Sequence, residues 1–379
     1  MLNKKKKIML VVPSLQGGGA ERVAKNLLDN LNKTQDIILC LFGKNHSQKL
    51  PKNIKVRCLP VKSSKNVLYT VAKFFLIIFH VRKIIKEEKP NSILSFMDYP
   101  NIVSIISNYL AGRKARVNIS IHTVPELHLK KYSNSKWNAS ISMLMKLLYN
   151  RADKIIAVSN FIKSDLIRGY NIEESRVMVI YNPVNIEKID ALASEEISDQ
   201  WFREEVPVVI SVGRLSKEKG YDTLLRAFAI AREKSDIRLA ILGEGEEKKS
   251  LEELGRKLGI ERDIVFLGYK NNPYKYMKRA SIFVLSSLYE GFPNVLIEAM
   301  ACGVPLISTM YNLCPSEIIV HEKTGLLVPV ANEKAFAEAI LRLLKDEKLR
   351  RSLAEGARKK VADFSIDVIA DKYKTALGI

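Results

Sequence analysis

Two α/β domains, each built on a parallel β-sheet, are what the sequence predicts, on three observations. Short apolar runs rich in β-branched residues alternate with helical patterns along the whole chain, the mark of repeated strand–helix–strand units. The alternation stops at a polar, acidic stretch from Asp190 to Glu205 and then restarts. With 379 residues and 47% hydrophobic content, the chain is long enough for two domains that each bury a core.

Taken in order, the first half carries strand-like runs at Ile8 to Val12, Ile37 to Phe42, Val56 to Val61, Ile93 to Phe96, Val117 to His122, Ile155 to Ser159 and Val177 to Tyr181. The second half carries them at Val208 to Val212, Leu239 to Leu242, Ile264 to Leu267, Ile282 to Leu285, Leu306 to Ser308 and Leu326 to Val328. The boundary falls near Asn182-Pro183-Val184, where a proline closes a strand and the composition turns polar. This gives a first domain over 1–183 and a second over 184–363, with a ligand cleft expected between them.

The basic start, Lys4 to Lys7, followed by Ile8 to Val12, imitates a signal peptide. Its apolar run stops at Pro13 with no cleavage-like pattern, so it reads as a first strand. The four cysteines, Cys40, Cys58, Cys302 and Cys314, form no C-x-x-C pair and fit a reducing cytoplasm.

Net charge is +20, and it is unevenly placed. Residues 1–190 hold 32 Lys+Arg against 13 Asp+Glu, a balance of +19, whereas residues 191–379 hold 29 against 28. One half is therefore expected to face a polyanion: nucleic acid, an anionic bilayer or a phosphate-bearing acceptor.

Two helical patterns bear on that choice. Val67 to Ile85 contains Phe74-Phe75-Leu76-Ile77-Ile78-Phe79 but is broken by Lys73, His80, Arg82 and Lys83, short of the ~18 apolar residues a span needs. Trp137 to Tyr149 places Trp137, Ile141, Leu144 and Leu148 at helical spacing among Lys130, Lys131, Lys136, Lys146 and Arg151. Both helices suit the surface of an anionic membrane, or else they simply cover the first sheet.

Four segments carry the chemistry. The glycine run Gly17-Gly18-Gly19 follows the first strand and opens a helix, where backbone amides can approach a phosphate. It lacks both the spaced glycines of a dinucleotide fold and a P-loop lysine, which disfavours hydride transfer. Gly213-Arg214-Leu215-Ser216-Lys217-Glu218-Lys219-Gly220 repeats that strand-to-helix placement in the second half, with Arg214 and Lys219 able to reach a diphosphate. A departing nucleoside diphosphate gains negative charge, so fixed cations there stabilise the transition state and can take over a metal's electrostatic role.

The third segment, Glu290-Gly291-Phe292-Pro293-Asn294-Val295-Leu296-Ile297-Glu298, follows the Ile282 to Leu285 strand. Pro293 suits a first helical position, placing two carboxylates around a helix N-terminus. Glu290 can then accept hydrogen bonds from sugar hydroxyls, free amides near Asn294 and Val295 can meet phosphate, and Glu298 can hold a ribose diol. His122 ends its strand at a position that faces a cleft in open α/β sheets. The remaining histidines show no ligand spacing and no Asp-x-Asp occurs, so no metal and no cofactor are expected.

The paired glutamates, followed by Ala299-Met300-Ala301-Cys302-Gly303-Val304-Pro305, resemble the retaining glycosyltransferases of family 4. The glycine run, Gly213-Arg214, Lys219-Gly220, Tyr181-Asn182-Pro183 and Gly325-Leu326-Leu327-Val328 occur in that family's order and extend the resemblance over nearly the whole chain. The resemblance implies a GT-B fold with two Rossmann-like domains facing a central cleft. It further implies an acceptor held mainly by the first domain, a donor held by the second, and a last helix near residues 364–379 returning to the first. Arg214 and Lys219 would contact the donor diphosphate, Glu290 the transferred sugar and Glu298 the ribose, with His122 beside the reacting centre. One departure lies at Thr309 to Ser316, which lacks the glycine often found before the family's next acidic residue, here Glu317.

The expected activity is transfer of a hexose or N-acetylhexosamine with retention, from a UDP-sugar in preference to GDP-mannose, to a glycolipid or oligosaccharide acceptor of surface-glycan assembly. A peripheral position at the inner face of the cytoplasmic membrane follows from the basic first domain. A nucleotide-sugar epimerase leaves the Glu290/Glu298 pair unexplained. A nucleic-acid-binding protein leaves the carboxylates unexplained and lacks interleaved aromatic and basic residues.

Overall fold

The computed structural model describes residues 5–16, 18–43, 50–59, 67–124, 136–202, 205–312 and 314–379. The chain divides into two compact units, residues 1–183 with 366–379, and residues 184–365.

The first unit holds seven strands: β1 (Lys7–Val12), β2 (Asp36–Leu41), β3 (Lys55–Cys58), β4 (Ser92–Phe96), β5 (Arg116–Ile121), β6 (Lys154–Ala157) and β7 (Val177–Val179). They form one sheet in the order β3-β2-β1-β4-β5-β6-β7, with every pair parallel. The described helices are α1 (Gly19–Leu31), α2 (Val67–Glu88), α3 (Asp98–Leu110), α4 (Lys136–Leu148) and α5 (Asn160–Tyr170). β1 and β4 are buried almost throughout because helices cover both faces of the sheet, which is why they read as unbroken apolar runs.

The second unit repeats the plan. Its helices are α6 (Ile186–Ala193), α7 (Tyr221–Arg232), α8 (Lys248–Lys257), α9 (Tyr274–Arg279), α10 (Asn294–Cys302), α11 (Cys314–Ile318), α12 (Glu333–Lys345) and α13 (Glu347–Lys360). Its strands are β8 (Val208–Val212), β9 (Arg238–Leu242), β10 (Ile264–Gly268), β11 (Ile282–Leu285), β12 (Leu306–Thr309) and β13 (Leu326–Val328), in the parallel order β10-β9-β8-β11-β12-β13. All thirteen strand-like runs of the sequence thus become strands.

The last helix, α14 (Ile366–Leu377), belongs to the first unit. Ile369, Ala370, Tyr373 and Leu377 enter the core formed by β1, β2 and α1, and Asn30 Nδ2 donates to Asp367 Oδ1 at 2.8 Å. The acidic stretch after the boundary is built into the second unit. Asp190 pairs with Arg358 at 2.6 Å, Asn272 Nδ2 donates to the Leu192 carbonyl at 2.8 Å, and Arg279 donates to the Glu195 carbonyl at 3.0 Å. No described helix is long and apolar enough to cross a membrane.

Candidate active site

Strand order reverses between β8 and β11 in the second sheet, since connections run outward from this pair in both directions. Ligands of open α/β sheets bind at the carboxyl ends of strands where the order reverses. The Gly213–Gly220 segment leaves β8 and the Ser286–Pro293 segment leaves β11, so both motifs singled out in the sequence sit at that point.

Backbone contacts lock the two segments together. Ser286 Oγ donates to the Lys219 carbonyl at 2.8 Å and the Leu288 amide to the Glu218 carbonyl at 2.8 Å. Gly220 adopts φ +60°, and a Cβ there would stand 2.3 Å from the Ser286 carbonyl oxygen. Only glycine meets both demands, the left-handed backbone and the close approach. Gly243 is constrained in the same way: a Cβ on it would stand 1.9 Å from the Gly213 carbonyl oxygen.

Within this frame the Lys219 ammonium lies 2.9 Å from Glu290 Oε1, with side chains 18% and 15% exposed. Ser287 Oγ donates to the same carboxylate oxygen at 2.6 Å. Arg214 is exposed and has no ion-pair partner among the described residues. Lys219, by contrast, is already matched to Glu290.

Glu298 lies on the second turn of α10 and is 8% exposed. Pro293 stands at the N-cap rather than at the first helical position, with φ −81° and ψ 84°. That correction has a local cause: the Asn294 amide turns back onto the Phe292 carbonyl at 3.0 Å, so the helix begins one residue later. Of the two amides expected free, only that of Val295 lacks an acceptor among the described residues. Gly291 and Phe292 are held from the far side, where Cys314 Sγ donates to the Gly291 carbonyl at 3.3 Å and the Phe292 ring lies 6.2 Å from that of Phe364.

Sequence reasoning missed two tyrosines. Burial, and after it the Glu290 and Cys314 charges, pushes the Tyr311 phenol far above its ordinary range, and its hydroxyl has no hydrogen-bond partner among the described residues. Tyr221 is likewise pushed up by burial and then by Glu290, against a hydrogen bond with Ser211 that acts the other way. Tyr311 occupies the stretch where the family glycine is missing, the one signal that could have drawn attention to it.

In the first unit, the glycine run behaves differently from expectation. Gly17 lies outside the described residues. Gly18 is the N-cap of α1, Gly19 begins it, and Glu21 folds back over the turn. The Glu21 carboxylate accepts from the Gln16 amide at 2.7 Å, from the Gly18 amide at 3.1 Å and from Ser14 Oγ. In this structure an internal carboxylate therefore lies against the amides of Gln16 and Gly18 at this helix N-terminus.

His122 stands just beyond the end of β5. Its Nε2 lies 2.9 Å from Ser120 Oγ, which lies 3.3 Å from the Tyr373 hydroxyl, while Nδ1 has no partner among the described residues. The ring packs 5.6 Å from Phe96, and desolvation pushes its pKa down to about 3, so the imidazole is neutral. Among the described residues no group of three His, Cys, Asp or Glu side chains is placed to hold a metal ion.

Comparison with known proteins bears on this architecture directly. Residues 193–360 match the model of glycosyl transferases group 1, and residues 17–188 match that of glycosyltransferase family 4. A Campylobacter jejuni N-acetylgalactosamine-N,N'-diacetylbacillosaminyl-diphospho-undecaprenol 4-alpha-N-acetylgalactosaminyltransferase is 32% identical over 98% of this chain and 100% of its own. A second C. jejuni protein, a GalNAc-alpha-(1->4)-GalNAc-alpha-(1->3)-diNAcBac-PP-undecaprenol alpha-1,4-N-acetyl-D-galactosaminyltransferase, is 30% identical over 97% of each chain. The crystal structure of Anabaena HepE in complex with UDP and glucose superposes with a TM-score of 0.80 at 20% identity, over 98% of this chain and 99% of that one. Two parallel-sheet units in this order, with the Gly213–Gly220 and Glu290–Glu298 segments at the second sheet's reversal point, make the chain a GT-B enzyme: it belongs to glycosyltransferase family 4.

Proposed function

We propose that the enzyme transfers a hexose or N-acetylhexosamine from a UDP-sugar to a lipid-linked diphosphate oligosaccharide in surface-glycan assembly, with retention at the anomeric carbon. The observation that carries this is the meeting of Arg214, the Lys219–Glu290 pair and the N-terminus of α10 at one point of the second sheet. The names of the two Campylobacter relatives support a diphospho-undecaprenol acceptor and an α linkage, and the UDP and glucose bound by HepE support the donor class.

In this reading the bond from the anomeric carbon to the β-phosphate oxygen breaks and its electron pair leaves with the phosphate. The acceptor hydroxyl forms the new bond on the same face, and its proton passes to the departing phosphate oxygen. Arg214 and Lys219 neutralise the growing charge, the Val295 amide adds a neutral donor, and Glu298 holds the ribose. Glu290 accepts from sugar hydroxyls and keeps Lys219 in position. Neutral His122 offers Nδ1 as a hydrogen-bonding atom on the acceptor's unit. No step needs a metal, because two fixed cations serve the leaving group.

The test is to incubate the protein with UDP-GalNAc, UDP-GlcNAc, UDP-glucose, UDP-galactose and GDP-mannose, each with a polyprenyl-diphosphate-linked acceptor, and to read the product anomer by proton NMR. An axial linkage from one axial UDP-sugar is expected. An equatorial product overturns retention, use of GDP-mannose alone overturns the donor, and an altered sugar nucleotide formed without acceptor overturns transfer.

A further inference from the structure

In the second unit, the loop that leaves β12 is fastened at both ends to the loop that leaves β11. Thr309 Oγ1 donates to the Ser287 carbonyl at 2.6 Å, and Cys314 Sγ donates to the Gly291 carbonyl at 3.3 Å. Tyr311 falls between the two anchors on one loop, and Glu290 between the two on the other. β11 and β12 are parallel neighbours with Leu285 opposite Ser308, so both loops stand at the carboxyl edge of the sheet, where ligands of open α/β sheets bind. Tyr311 also stands in the stretch that departs from the family's pattern, which makes its side chain a feature of this chain in particular.

Two hydrogen-bond donors of this loop lack acceptors. The Tyr311 hydroxyl and Asn312 Nδ2 are buried without a hydrogen-bond partner among the described residues, and Tyr311 as a whole is 2% exposed. Asn312 holds φ +35°, a left-handed backbone uncommon outside glycine, and its Oδ1 accepts from the Cys314 amide at 2.9 Å, which fixes the side chain and leaves Nδ2 as the free end. Burial, and after it the charges of Glu290 and Cys314, keeps the Tyr311 phenol protonated, so it remains a donor. Buried polar groups of folded proteins are otherwise paired, and two adjacent donors without acceptors point to an acceptor that a ligand brings.

We propose that Tyr311 and Asn312 select the donor's sugar: hydroxyl and amide donate to the carbonyl oxygen of a 2-acetamido group, so the transferred sugar is an N-acetylhexosamine and not an unsubstituted hexose. The inference rests on the transferase reading above and narrows its donor. Strand order arranges the contacts. Arg214 and Lys219 lie on the loop after β8, Glu290 on the loop after β11 and Tyr311 on the loop after β12, which are consecutive strands of the sheet. A diphosphate held by the two cations is therefore about two strand spacings, ~10 Å, from Tyr311, and the Glu290 charge beside Tyr311 opposes an anion there. Ring hydroxyls fall to Glu290 on the middle loop. An acetamido carbonyl stands further out from the ring than a hydroxyl, reaching the more deeply set Tyr311. It has two lone pairs and no hydrogen, the complement of two donors.

The test is kcat/KM with UDP-GlcNAc, UDP-GalNAc, UDP-glucose and UDP-galactose for the wild type, Tyr311→Phe and Asn312→Asp, the last of which keeps an acceptor for the Cys314 amide. The wild type is expected to prefer an N-acetylated donor over its parent hexose donor, and each variant to lose about tenfold or more of that preference. Thermal protection by UDP, which carries no sugar, is expected to be the same in Tyr311→Phe as in the wild type. A merely structural hydroxyl would change the melting temperature and not the preference. An unchanged preference in either variant overturns the proposal. So does an equal loss with N-acetylated and plain donors accompanied by weaker protection by UDP, which makes Tyr311 a phosphate contact. Wild-type transfer from a plain hexose donor alone also overturns it and leaves the transferase reading standing, whereas no transfer from any sugar nucleotide, GDP-mannose included, removes that reading and this one with it.

Discussion

Lys219 and Glu290 form a 2.9 Å ion pair across the two loops that leave β8 and β11, and Ser287 shares the same carboxylate oxygen. The pair is mostly buried, so each charge depends on the other. Removing one partner leaves the second desolvated and unmatched, at a cost of about 1–3 kcal/mol. Lys219→Met and Glu290→Gln are each expected to lower the melting temperature, and the double variant to lose less than the sum. Transfer behaves otherwise: each single variant is expected to lower kcat by about 10²–10³, the range for losing one group that meets developing charge, and the double variant to regain none of it. A steady-state comparison with calorimetry on the three variants checks both.

Gly220→Ala is expected to destabilise the second unit far more than Gly18→Ala does the first. The former combines φ +60° with a Cβ 2.3 Å from a backbone oxygen, and the left-handed backbone alone costs about 1–2 kcal/mol. The latter sits at φ −61°, where a Cβ would meet only the Glu21 side chain at 3.7 Å. Urea unfolding of both variants measures the difference, and equal losses would contradict the geometry.

Glu21→Ala strips the acceptor from two loop amides and a hydroxyl. A loss of about 1–3 kcal/mol is expected from the groups left unmatched. Glu21→Gln should recover part of it, because an amide oxygen can still accept from Gln16 and Gly18. If added phosphate ion restored the alanine variant's melting temperature, the internal carboxylate would be confirmed as filling an anion site.

His122 gives a pH signature. Its pKa falls from 6.5 to about 3 in the folded protein through desolvation, so below pH 6.5 the unfolded chain binds a proton that the folded one refuses. Stability is therefore full above about pH 6.5 and falls as pH drops toward 3, by up to about 1.4 kcal/mol per unit from this residue. Denaturation curves at pH 7, 5.5 and 4.5 should show a shallower decline for His122→Gln than for the wild type.

Chelation supplies a further measurement on the reaction itself. If Arg214 and Lys219 serve the leaving diphosphate as proposed, transfer proceeds at an unchanged rate in excess EDTA, whereas Arg214→Ala should raise KM for the sugar nucleotide and lower kcat. A rate that collapses in EDTA and returns with magnesium would refute that assignment.

Much of this was legible in the sequence because the strands are buried on both sides. Ile8 to Val12 and Ile282 to Leu285 read as strands from β-branched and aromatic runs alone, and a turn with glycine after each strand marked the loops that later proved to carry Lys219 and Glu290. What escaped was set by side chains folding back or by distant packing. Glu21 stands three residues after Gly18, the spacing of a capping box, and that signal favoured self-capping over phosphate binding. Pro293 misled by one position because the Asn294 amide prefers a tight turn onto Phe292. No local pattern brings Tyr311 near Glu290; the two lie in the loops after adjacent strands, β12 and β11, whose pairing is a tertiary fact.

The carboxylate that closes the first β-to-helix corner also makes that turn self-sufficient. Since Glu21 provides that corner's negative charge from within the chain, the N-terminal half can mature without any metabolite at this turn. Changes around Glu290 and Tyr311 in the second unit can then accumulate while this part of the scaffold stays fixed.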